Sequence, residues 1–183
     1  KEPVIFGGRA DVLIVSAAID GGTGLFVVDT ASASGLTRDS YRTHDGLRAA
    51  KITFADTPAV ALGQGGDASA VIEATLDRAR VAYAHEALGA MQTALDTTVE
   101  YLKTRKQFGV TLNKFQALTF RAADLYVSLE LARSAITWAT IVLDTADQGE
   151  SVDVAAAAAQ ASLQVSRAGR HIGKDAIQLH GGI

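Results

Sequence analysis

The 183-residue sequence is mildly acidic, with 17 Lys and Arg against 20 Asp and Glu and a formal net charge of −3, so no broad basic field points to nucleic acid or an anionic membrane surface. It contains no cysteine, which excludes disulfides, thiolate nucleophiles and thiolate metal sites and fits a reducing compartment. Hydrophobic residues make up 48%, enough for a real core, yet no uninterrupted apolar run is long enough to span a bilayer.

The start, Lys1-Glu-Pro-Val4, lacks the apolar heart of a signal peptide. The chain opens on an extended segment without Met and stops after a Gly-Gly, which suggests part of a larger polypeptide. Residues 1–60 read as β. Val4-Ile-Phe6 is short and apolar, Ala10 to Ile19 is rich in β-branched residues, Asp20 to Gly24 supplies turn residues, and Leu25 to Val28 returns. A tight turn between adjacent strands implies antiparallel pairing. Ala31 to His44 is polar and small, so it reads as a loop or an irregular edge. Leu47 to Phe54 ends in a strand-like Ile-Thr-Phe, closed by Asp56-Thr-Pro58.

Gly63-Gln-Gly-Gly-Asp67 reads as a linker, since a phosphate-cradling role would need a strand before it and a helix after it in a defined pattern. The boundary placed there divides the chain into 1–62, a partial β-domain, and 63–183, a helical-bundle domain. From Ala68 onward Ala, Leu, Glu and Arg dominate, and both prolines lie behind. A first helix is predicted over about 68–104, with Val71, Leu76, Val81, Tyr83, Leu88, Met91, Leu95, Val99 and Leu102 covering much of its circumference. A second, over about 114–147, carries the stripe Leu118, Ala122, Leu125, Leu129, Ala132, Ile136 and Leu143. A third starts behind Ser151 as N-cap, with Asp153 in its first turn, and carries Val154, Ala158, Ala161, Val165, Ala168, Ile172, Ala176 and Leu179. The predicted fold is α+β: an antiparallel β portion, sandwich or barrel, followed by a long up-down-up bundle that a fourth helix would complete.

The stretch from Tyr101 to Gln116 joins the first two long helices and concentrates the chemistry. Arg105 is a fixed cation, Phe108 a flat apolar plate, and Gly109 frees the backbone to turn. An anion carrying an aromatic ring would suit that set, helped by amides at the start of the next helix. The same residues also fit an ordinary bend, with Arg105 and Lys106 near a helix C-terminus, Gly109 as its stop, and Asn113 with Gln116 as a capping box. Asp77 and Arg80, one turn apart, read equally well as an intrahelical ion pair of little weight. His44, His85 and His171 have no metal-ligand spacing with carboxylates, and no Gly-x-Ser-x-Gly elbow occurs.

Three motifs in order tip the balance: Asp77-Arg-Ala-Arg80, Arg105-Lys-Gln-Phe-Gly109 with Phe115-Gln116, and Gln178-Leu-His-Gly-Gly182. Together they resemble the acyl-CoA dehydrogenases, over the second half of that family's middle β-domain and most of its C-terminal helical domain. The resemblance implies FAD-dependent α,β-dehydrogenation of an acyl-CoA thioester, with electrons passed to an electron-transfer flavoprotein. It implies that Arg105, Gln107, Phe108 and Gln116, with Gln178, Gly181 and Gly182, touch the FAD held mainly by a neighbouring subunit, and that Asp77 and Arg80 contact the acyl-CoA. A shared cofactor implies a dimer or tetramer, possibly heteromeric, in cytoplasm or an organelle matrix, without nucleic acid or membrane insertion. His180 falls in a segment that does not abstract the proton, so it reads as local packing or hydrogen bonding.

The family's base is a Glu, expected beyond Ile183 in most members. At the alternative position on the first helix this chain has Ala79, and Glu86, two turns on, does not inherit the role. Phe120 and Gln160 stand where many members carry His and Lys. The rival readings are a base-less partner subunit of a mixed acyl-CoA dehydrogenase, a flavin oxidase or monooxygenase on the same scaffold, and a DNA-binding relative, which the acidic balance disfavours.

Overall fold

The structure is a computed structural model that describes residues 1–181. The chain forms two compact units, Lys1–Ile72 and Glu73–Ile183.

Every strand pairing in the first unit is antiparallel. β1 (Val4–Ile5), β5 (Arg48–Phe54) and β4 (Leu36–Arg42) form one sheet in the order β1-β5-β4; β2 (Val12–Ile19), β3 (Gly22–Asp29) and β6 (Val60–Ala61) form another in the order β2-β3-β6. Ile19 pairs with Gly22, so the turn is the two-residue Asp20-Gly21, with Gly21 at φ 84°. That is tighter than the five-residue turn expected. Leu13, Val28, Ala50 and Ile52, drawn from both sheets, make a small core.

The segment expected to be a loop or irregular edge contains β4, a regular strand paired with β5 from Leu36↔Phe54 to Arg42↔Arg48. It sits at the sheet edge and is mostly exposed, which is why its polar Thr-Arg-Asp-Ser-Tyr-Arg sequence is tolerated and why hydrophobic alternation is missing.

The second unit is dominated by α1 (Ser69–Thr104), α2 (Gln116–Asp147) and α3 (Val154–Leu179). Contacts fix the up-down-up order. Arg78 meets Asp147, His85 bonds Thr140 at 2.8 Å and Arg133 bonds Gln92 at 2.6 Å, so α1 and α2 are antiparallel. Ser128 bonds His171 and Arg121 pairs with Asp175, so α2 and α3 are antiparallel too. One core runs through all three helices. α1 contributes Val81, Leu88, Met91 and Leu95; α2 contributes Leu125, Leu129 and Ile136; α3 contributes Val165 and Ile172. The predicted stripe of α1 is narrower than expected, since Val71, Leu76 and Tyr83 are exposed.

Ala132 and Ala139 on α2 and Ala157, Ala158, Ala161 and Ala168 on α3 are all buried. Such small side chains let two backbones approach closely, and α2 and α3 do so along their length. Leu, Met and Val hold α1 farther off.

Two helix starts differ from expectation. The N-cap of α3 is Asp153, not Ser151, and its carboxylate accepts from the Ala156 amide at 2.9 Å. The N-cap of α2 is Phe115, whose side chain makes no cap bond. Asn113 lies instead in a short 3-10 turn, Leu112–Lys114, and its side chain accepts from the Thr111 hydroxyl at 2.6 Å. The Asn113–Gln116 capping box is therefore not formed.

Candidate functional site at the helix bend

The bend between α1 and α2 is a miniature hairpin rather than a plain turn. β7 (Lys106–Gln107) pairs with β8 (Val110–Thr111), and Leu112 closes the loop by donating its amide to the Arg105 carbonyl at 2.9 Å. The helix stops at Thr104, ahead of Gly109, because the chain turns extended there. The two turn residues, Phe108 and Gly109, have φ of 52° and 82°. A two-residue hairpin of this hand needs positive φ at both positions, which suits Gly and is costly for Phe.

That backbone projects the Phe108 ring into solvent. It is 93% exposed and meets the Phe115 ring edge to face, with centroids 6.2 Å apart. Phe108 thus combines a strained backbone with an uncovered, flat apolar face. Three residues earlier in the chain, Arg105 is exposed, and among the described residues its guanidinium makes no hydrogen bond or ion pair. From Tyr101 to Ala123 the sequence has five Lys or Arg and no Asp or Glu. In a chain of net negative charge, this end of the bundle is locally cationic and suits an anion.

Because the bundle runs up, down and up, the C-terminal end of α1, the start of α2 and the end of α3 share one end of it. Arg105, Gln107, Phe108, Gln116, Gln178 and Gly181 are thereby gathered at that end, all exposed. Gln107 uses its amide locally, donating to the Lys106 carbonyl at 2.8 Å. Gly181, at φ 82°, turns the chain just past α3. Gly182 lies outside the described residues.

The strut beneath this site was not foreseen as a pair. Tyr101 on α1 stacks on His180 after α3, with centroids 4.5 Å apart, and donates its hydroxyl to the His180 carbonyl at 3.3 Å. The Nδ1 of His180 lies 2.8 Å from the Ala176 carbonyl. A carbonyl only accepts, so Nδ1 carries the proton and the ring is fixed as a structural bridge. No sequence pattern links Tyr101 to His180 before the helix order is known.

Asp77 and Arg80 lie near the other end of α1. Asp77 is 5% exposed, and Arg80 donates to it at 2.6 Å. Only Asp77 and Thr98 are buried polar residues among the described ones. A buried carboxylate held by a half-exposed guanidinium is more than a surface ion pair, since removing Arg80 would strand the charge. Arg80 also lines an open depression with Tyr83, Ser162 and Ser166. Along α1 this pair is separated from Arg105 by about 40 Å, at 1.5 Å per residue. One chain does not bring the two candidate sets together.

Residues 67–183 match the family described as "Acyl-CoA dehydrogenase, C-terminal domain". The human mitochondrial short-chain specific acyl-CoA dehydrogenase is 38% identical over 122 residues, 67% of this chain and 28% of that protein. Among solved structures, a Tcur3481–Tcur3483 steroid ACAD variant superposes with TM-score 0.82 at 35% identity, over 100% of this chain and 47% of that one. A structure named FAD-dependent dehydrogenase gives TM-score 0.86 at 29% identity, over 100% of this chain and 50% of that one. The chain thus spans half or less of the length of these proteins. The α+β architecture and the order of its helices are those of these structures, and the chain belongs to the acyl-CoA dehydrogenase family.

Proposed function

We propose that the chain is the part of an FAD-dependent acyl-CoA dehydrogenase that grips the far end of the cofactor and one side of the acyl-CoA. The observation that carries this reading is the hairpin, whose turn holds a strained, uncovered phenyl ring three residues after Arg105, a guanidinium without a partner among the described residues. Arg105 would take the pyrophosphate, where a planar fork of donors suits phosphate oxygens. Phe108 would pack on the adenine face. Gln107, Gln116 and Gln178 would supply polar contacts, and the missing side chains at Gly181 and Gly182 let backbone approach the ligand. Bound FAD supplies the two-electron acceptor for the carbon–carbon bond α,β to the thioester, and an electron-transfer flavoprotein would collect the electrons.

Asp77 and Arg80 would position the acyl-CoA, their mutual bond at 2.6 Å holding both side chains in place near the start of α1. No residue of the chain is assigned as the base. A dinucleotide does not reach across the 40 Å or so that separate the two sets on one helix, so the cofactor held at the hairpin would serve a site completed by another subunit. The names of the relatives, short-chain acyl-CoA dehydrogenase and steroid ACAD, bracket the acyl groups to try first.

The test is the visible spectrum of the intact protein. It is expected to be yellow as purified and to bleach when an acyl-CoA is added. Arg105→Ala is expected to bind FAD roughly 10–100-fold more weakly, the loss of about 1.5–3 kcal/mol from a charge-assisted bond. Its helical circular dichroism should be unchanged, because the guanidinium holds nothing in the fold. Wild-type flavin content in that variant would overturn the assignment.

A further inference from the structure

Phe108 is not alone among the phenylalanines in its left-handed backbone. Phe6 has φ 58° and a ring 56% exposed. It sits in a tight turn after β1, closed by the Gly7 amide on the Val4 carbonyl at 3.0 Å. That turn walls a depression of about 290 Å³ in the first unit, whose lining also includes Arg9, Ser40, Arg42 and Arg48.

The depression is cationic and lacks a counter-charge. No ion pair among the described residues includes Arg9, Arg42 or Arg48. Arg42 has only a long bond, 3.4 Å, to the Gly46 carbonyl. Arg42 and Arg48 are register partners at the end of the β4–β5 ladder, so their side chains leave the sheet on one face, directly opposite each other. Like charges so placed oppose strand pairing. Nearby carboxylates do not relieve them. Asp45 accepts from the Thr43 hydroxyl and the Leu47 amide, Glu2 accepts from the Tyr41 hydroxyl, and Asp39 leaves β4 on the other face, opposite Lys51. Ser40 shares the face of Arg42, and its hydroxyl has no bond among the described residues. Gly8 leaves room for that hydroxyl, since a β-carbon there would stand 2.2 Å from Ser40 Oγ.

Guanidinium forks and a free hydroxyl suit phosphate oxygens, and an uncovered ring suits the face of a base. Ligand pockets start near about 300 Å³, so this one has room for one nucleotide and not for two. The geometry points to a second ligand site, in the first unit, that takes the phosphate of a mononucleotide among Arg9, Arg42 and Arg48 and lays its base on Phe6. The site is built from residues between Phe6 and Arg48, outside the residues 67–183 that match the family. It is independent of what the hairpin at Phe108 holds.

Calorimetric titration of the full chain with AMP, adenosine and inorganic phosphate tests it. AMP is expected to bind about tenfold or more tighter than either part alone, because both walls then act on one ligand. Arg48→Ala is expected to weaken AMP by about tenfold or more, the loss of a charge-assisted contact. The ligand-free Arg48→Ala chain should melt at the same temperature or higher, since the opposed charge is gone. Arg42→Gln gives the same reading from the other strand. Phe6→Gly should weaken AMP and leave inorganic phosphate unchanged. Wild-type AMP affinity in Arg48→Ala and Arg42→Gln would overturn the inference, as would inorganic phosphate binding as tightly as AMP. AMP binding that disappears in Arg105→Ala would assign the nucleotide to the hairpin and overturn it as well, whereas lost flavin with intact AMP binding would sink the cofactor reading alone.

Discussion

Phe108 has its backbone in a region that β-carbons resist and its ring in water. The first opposes folding by about 1–2 kcal/mol, and the second returns almost no burial energy to offset it. Phe108→Gly is accordingly expected to leave stability equal or raise it by up to about 1 kcal/mol in chemical denaturation, while lowering FAD retention. A variant that loses stability would show that the ring braces the fold instead. Asp67 shows the opposite economy. Its carboxylate accepts from the Ser69 hydroxyl at 2.6 Å, the Thr23 amide at 3.0 Å and the Ser69 amide at 3.1 Å. The Ser69 hydroxyl bond, followed by the two amides, holds its pKa below the usual 3.8. Because the folded value is the lower one, its contribution is present above pH 3.8 and disappears as pH falls through the depressed value. Asp67→Asn should therefore flatten stability against pH on the acid side and nowhere else, as thermal melts between pH 2 and 5 would reveal.

Long periodic helices are the easiest elements to read, and α1, α2 and α3 lie where the alanine- and leucine-rich stripes put them. The misreadings are short or edge features. β4 escaped because a strand at a sheet edge needs no apolar face. The hairpin at Lys106–Thr111 escaped because Phe-Gly is an unusual pair for its turn, whereas Asn-Gly or Asp-Gly would have announced it. Asn113 could have capped α2 on sequence alone, but the 3-10 turn before the helix carries the first capping position on to Phe115. The candidate residues at the bend were legible one by one from their chemistry. Their meeting with the end of α3 through Tyr101 and His180 was not, since it depends on helix order. Between α2 and α3 the packing leaves little room for added atoms. Ala161→Leu is expected to cost about 1–3 kcal/mol through overpacking, measurable as a lower denaturation midpoint with unchanged slope. Wild-type stability in that variant would show the interface to be looser than the buried alanines indicate.

At the scale of the molecule, the three helices are not bound to one another in the same manner. α2 and α3 meet methyl to methyl, with no slack between their backbones. α1 joins them through larger side chains, Val81, Leu88, Met91 and Leu95 in the shared core, and through the Arg78–Asp147, His85–Thr140 and Gln92–Arg133 links outside it. Interdigitated side chains of either size resist axial sliding. The hairpin is rooted on one side in α1 and on the other in α2. Both of its anchors are thus tied into one packed core, and what the hairpin presents to solvent is carried on a stiff base.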